Sequence, residues 1–97
     1  MTISVEIYDR VLDDDEEPTE RGFPLPGTWT LPSAIAAAAS HVWCASVTKR
    51  VESAVIYNGD RPVAGFVTRP EGVVRIIATD EVVPTLNEHY PDWKDEP

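Results

Sequence analysis

His41 and Cys44 have the widest chemical range in this sequence, and they stand three apart within residues 30–48, TLPSAIAAAASHVWCASVT. On a helix that spacing brings imidazole and thiol onto neighbouring positions of one surface. A thiolate–imidazole pair becomes a nucleophile only when a third group orients the base and donors await the oxyanion. The sequence offers neither. With His89 the same residues make three metal ligands, but structural zinc takes four, usually in close pairs, and no such spacing occurs here. The phosphate-loop, dinucleotide and serine-elbow motifs are missing, and Gly59 and Gly72 read as turn glycines. The expectation is therefore a plain helix face, with no catalytic residue, no metal and no cofactor.

Charge is the stronger signal. The formal net charge is −9 in 97 residues, and it is segregated along the chain. Residues 1–20 carry −7 and residues 80–97 carry −5, while residues 21–79 carry +3. Such a field repels nucleic acid and attracts basic partners. The run Asp13, Asp14, Asp15, Glu16 and Glu17, followed by Glu20, has two readings: a solubilising loop, or a recognition surface that imitates a phosphate backbone. Asp92, Trp93, Asp95 and Glu96 form a second acidic patch in which an aromatic ring can anchor a charge-steered contact. A calcium loop needs alternating ligands followed by glycine, and no glycine precedes Gly22. The bases Lys49, Arg50, Arg61, Arg69 and Arg75 are expected at strand ends and turns, exposed and partly neutralised by the acidic ends.

These residues need a scaffold, and the apolar periodicity describes one. At this length the chain is one domain, 1–97, and its 42% hydrophobic content suffices for a core. Ile3, Val5 and Ile7 alternate with Ser4, Glu6 and Tyr8 as in a half-buried strand. Residues 13–29 form a long acidic and proline-rich loop, in which Phe23 and Leu25 are expected to seal one edge of the core. Thr30 is placed to cap a helix that Pro32 tolerates in its first turn. Leu31, Ile35, Ala38, Ala39, Val42 and Ser46 share its core face, with Trp43 on the flank. Ala37, Ser40, Cys44 and Thr48 lie opposite, on an outer face with unusually little charge.

Residues 52–57, 63–68 and 73–79 read as three strands joined by Asn58-Gly59-Asp60 and Pro70-Glu71-Gly72. Their apolar residues fall on both parities. Asp80 is positioned to cap a short final helix towards Tyr90, with residues 91–97 a flexible acidic tail. The fold class is α+β, in the order β-α-β-β-β-α, a mostly antiparallel sheet covered on one face by the 31–48 helix. Which sheet edge the first strand occupies is left open. The α-β-β-β-α portion has the element order of double-stranded RNA-binding domains, but the start of the last helix reads Thr79-Asp80-Glu81, which repels phosphate. Direct nucleic-acid binding is not expected.

The longest uncharged run, residues 22–48, is broken by Pro24, Pro26, Gly27 and Pro32, so no membrane helix is expected. A lone cysteine closes no intrachain disulfide, and the first residues lack a basic and apolar leader, which together point to the cytoplasm. In size, acidity, β-α-β-β-β organisation and the Asp13–Glu17 segment, the chain resembles small phage-encoded anti-defence proteins, including anti-CRISPR and DNA-mimicking inhibitors. No motif carries that resemblance, and the mildly basic middle departs from a full DNA mimic. It implies a non-enzymatic inhibitor that occupies the basic nucleic-acid-binding surface of a protein complex. The alternative is a structural or assembly module, a homodimer through the outer helix face or the bare sheet face, or an adaptor. An enzyme would instead depend on Cys44 or His41.

Overall fold

The structure, a computed structural model, describes residues 2–10, 22–69, 72–80 and 82–85. Strand β1 (Ile3–Tyr8) comes first, then the two-residue strand β2 (Phe23–Pro24) and helix α1 (Leu31–Val47). Three strands follow: β3 (Ser53–Asn58), β4 (Arg61–Arg69) and β5 (Gly72–Ala78). All pairs are antiparallel, in the spatial order β2-β1-β3-β4-β5. The first strand therefore lies inside the sheet, beside β3, because β2 occupies the edge that β1 would otherwise form. Residues 83–85 are helical; the rest of the expected final helix and the tail lie outside the described residues.

Helix α1 begins where its chemistry says it should. Thr30 has an extended backbone, its hydroxyl accepts from the Ser33 amide, and the Ser33 hydroxyl accepts from the Thr30 amide. Two orphan donors of the first turn are thus satisfied reciprocally. At the other end the Arg50 amide donates to the Ala45 carbonyl and the Lys49 amide to the Ser46 carbonyl. This is the paired closure of a Schellman motif, and it requires a left-handed residue, here Lys49 at φ 64°. Lysine has a Cβ to accommodate there; glycine would not.

The buried helix face is Ala34, Ile35, Ala38, Ala39, Val42 and Ala45. Leu31 and Ser46, expected on that stripe, are only half-buried, so it is rotated towards Ala34 and Ala45. Alanines at the contact let the helix lie close to the sheet, whose Val5, Ile7, Ala54, Ile56 and Phe66 complete the cluster. Leu25 and Trp29 pack against its margin.

The pairing register explains the apolar residues on both parities. Ile56 faces Ala64 and Tyr57 faces Pro62, which leaves Val63 as an extra residue on β4. Through that bulge both Val63 and Ala64 reach the helix-side core. The opposite face of the sheet is buried as well. Tyr8, Val55, Tyr57 and Val67 form a second cluster, and the Tyr8 and Tyr57 hydroxyls share a hydrogen bond of 2.7 Å. Glu6, on this face, is only 4% exposed. Among the described residues, these side chains of β1, β3 and β4 are therefore not the bare sheet face expected for an assembly surface.

In the β3–β4 hairpin only Gly59 has positive φ, at 63°, so it alone needs a residue without a Cβ. Gly22 answers a different constraint. A Cβ there would lie 2.4 Å from the Ile7 carbonyl oxygen, a backbone atom that cannot turn away. Gly22→Ala is expected to cost about 1–3 kcal/mol by forcing β2 off β1, measured by urea unfolding. Lys49→Gly should gain about 0.5–1 kcal/mol, the relief of left-handed strain less the added freedom of the unfolded chain. A thermal melt raised by a few degrees checks it, and an unchanged or lowered midpoint refutes the strain argument.

Candidate functional site

Asp13, Asp14, Asp15, Glu16, Glu17, Glu20, Asp92, Trp93, Asp95 and Glu96 all lie outside the described residues, as does His89. The anchors of the first group, however, are defined. Strand β1 leads into Asp9 and Arg10, and the Ser53 hydroxyl donates to the Arg10 carbonyl at 2.6 Å. The chain re-enters at Gly22 and pairs back on β1 through Ile7↔Phe23 and Glu6↔Pro24. The Leu25 amide then donates to the Val5 carbonyl at 2.9 Å. Arg10 and Gly22 therefore lie at the same corner of the sheet.

At that corner stands a residue misplaced by sequence reasoning. Phe23 was expected to seal the core, but it is 75% exposed. Strand pairing fixes its backbone on the outermost strand. Its partner Ile7 occupies the helix-side core, whose margin Leu25 and Trp29 already close. A large ring held in water is an available contact. The signal that it would be exposed was the flanking pair Pro24 and Pro26, which suits an edge rather than an interior segment.

Acids also occur within the body. Glu52 is buried immediately before β3, and its carboxylate contacts Nδ1 of His41, reaching down from α1. The Glu52 amide donates to the Thr68 hydroxyl at 3.1 Å, and the Thr68 amide donates back to the Glu52 carbonyl. Helix, β3 and β4 are thus tied at one point. Glu52 is the orienting group for His41 that the sequence did not reveal. Yet His41 joins Glu52 and not Cys44 among the described residues. The Cys44 thiol is exposed, in the body of the helix where backbone amides already serve the helical ladder. An oxyanion formed there would meet no free backbone donor. The arrangement fixes the helix on the sheet, and among the described residues it does not join His41 to the Cys44 thiol. No group of three or more metal-ligating side chains occurs among the described residues.

The basic residues are spread out. Lys49 and Arg50 follow α1, Arg61 opens β4 and Arg69 closes it, while Arg75 lies inside β5 and not at an end as expected. Among the described residues no helix is long and apolar enough to cross a membrane. The chain matches no protein-family model, no curated protein and no solved structure.

Removing the imidazole leaves the Glu52 carboxylate in a buried site without that partner. His41→Ala is expected to cost about 1–3 kcal/mol, and Glu52→Gln a smaller amount because the amide keeps the shape. In a double-mutant cycle by urea unfolding the paired variant should lose less than the two single losses added together. Strict additivity would show that the contact contributes nothing.

Proposed function

We propose that this protein is a non-enzymatic acidic binding protein, an inhibitor that occupies a basic nucleic-acid-binding surface of a protein complex. It would work in the cytoplasm, in the manner of phage-encoded anti-CRISPR and DNA-mimicking proteins. One observation supports the reading: the residues that precede and follow the acidic run in sequence adjoin the paired strands β1 and β2, where Phe23 is exposed. The described residues on either side of the run, Arg10 and Gly22, adjoin the paired strands β1 and β2. Only Glu6 and Glu52 of the described acids are taken inside; Asp9, Asp60 and Asp80 remain exposed.

In this reading Asp13, Asp14, Asp15, Glu16, Glu17 and Glu20 steer association and fill a cationic groove. Phe23 supplies an apolar anchor within the charged contact. Asp92, Trp93, Asp95 and Glu96 make a second patch. Long-range attraction acts on the rate of association, whereas the ring acts on the lifetime of the complex.

The test uses the chain immobilised and exposed to extract at low and high salt, with duplex DNA as competitor. Proteins captured at low salt should be released both by salt and by DNA. Reversing Asp13, Asp14 and Asp15 to lysine should slow association and flatten its salt dependence, while Phe23→Ala should mainly quicken dissociation. Capture unchanged by the triple reversal, or indifferent to DNA, overturns the reading.

A further inference from the structure

The outer face of α1 has no assigned partner, and its residues carry none of the acidic or basic side chains found elsewhere in the chain. No aspartate, glutamate, lysine or arginine occurs between Leu31 and Val47. At about 100° per residue, Ser33, Ala36, Ser40, Cys44 and Val47 point directly away from the buried stripe, with Trp43 and Ala37 on either flank. All are exposed except Ala37, which is half-buried. Trp43 is 55% exposed and Val47 62% exposed, and Val51, just past the helix, is also largely exposed. Large apolar side chains thus stand at the C-terminal half of the face and small ones at the N-terminal half.

We propose that this face binds a second copy of the chain, two α1 helices packing antiparallel about a two-fold axis at Ser40. The axis sets each position level with the one equally far on the other side of Ser40, and between neighbours at nearly the same level the residue on the same side of the seam makes the contact. Trp43 then covers Ala36 of the other copy, Cys44 meets Ala37 and Val47 meets Ser33. Each large side chain lies over a small one, which is self-complementarity of the kind an isologous contact requires. Small residues at the crossing allow the axes to approach to about 8 Å.

Charge selects the same occupant. Two molecules of net charge −9 repel, and they associate most readily where neither presents an ionised group. A basic partner gains nothing from an uncharged helix, and on the far face of the sheet Tyr8, Val55, Tyr57 and Val67 are already buried in one chain. The exposed parts of Trp43, Val47 and Val51 from both copies contribute several hundred Å² towards the roughly 1,000 Å² that a specific contact needs. The dimer is accordingly of the weak, concentration-dependent class. It does not depend on the acidic corner, so either proposal stands or falls alone.

Sedimentation equilibrium from micromolar to millimolar concentration tests it on the full chain. The mass should rise from one chain to two, and association should hold or strengthen as salt screens the like charges. Trp43→Ala, at an exposed site outside the core, should weaken association at least about tenfold. Reaction of Cys44 with a thiol reagent should slow as the protein is concentrated. Ser40→Cys combined with Cys44→Ser should form a disulfide-linked dimer on oxidation. A one-chain mass throughout, a dimer indifferent to Trp43→Ala, or one that salt dissociates overturns the proposal.

Discussion

The structure depends on how closely an alanine-rich helix can approach an antiparallel sheet. Ala34, Ala38 and Ala45 contribute almost no thickness, so between the layers Ile35 and Val42 of the helix meet a larger contribution from the sheet, Phe66, Ile56, Val5 and Val63. This division makes the sheet the bearer of the core and the helix its lid. It also lets His41 reach Glu52, because a bulkier helix face would hold the imidazole away from the start of β3. Trp43 and Val47, by contrast, lie on the side of α1 turned away from the sheet and stay exposed.

Two features of the strands follow from the sheet being buried on both faces. A sheet with one wet face alternates apolar and polar residues, whereas one closed on both sides needs apolar residues at every position. Tyr8 and Tyr57 solve part of that problem by satisfying each other's hydroxyls inside the second cluster. Glu6 and Ser53 join the same face, and Ser53 uses its hydroxyl to hold Arg10. The polar groups of this face therefore serve the fold before they serve any partner.

The helix and the three-strand meander were legible because their signals are local. Thr30 and Ser33 mark a start, Gly59 marks a turn, and the 3.6-residue and two-residue periods differ plainly. What was not legible depends on long-range pairing. Phe23 looked like core because it is aromatic, but its strand partner placed it outside. Val63 and Phe66 looked contradictory until the bulge in β4 put both on one side. The carboxylate that orients His41 is eleven residues away in another element, beyond any spacing rule. For the acidic patches, composition and order were readable; the corner that holds the ends of the first was visible only once β2 had paired with β1.

That pairing also decides what the sheet cannot do. The outer flank at β2 is two residues long, and one of them is Pro24, which has no amide hydrogen to offer. A foreign strand seeking to extend the sheet on this side finds too few hydrogen-bonding groups to form a ladder. Edge growth on this side is thus opposed by the brevity of β2 and by Pro24, so the flank beside β1 favours separate molecules over a fibre.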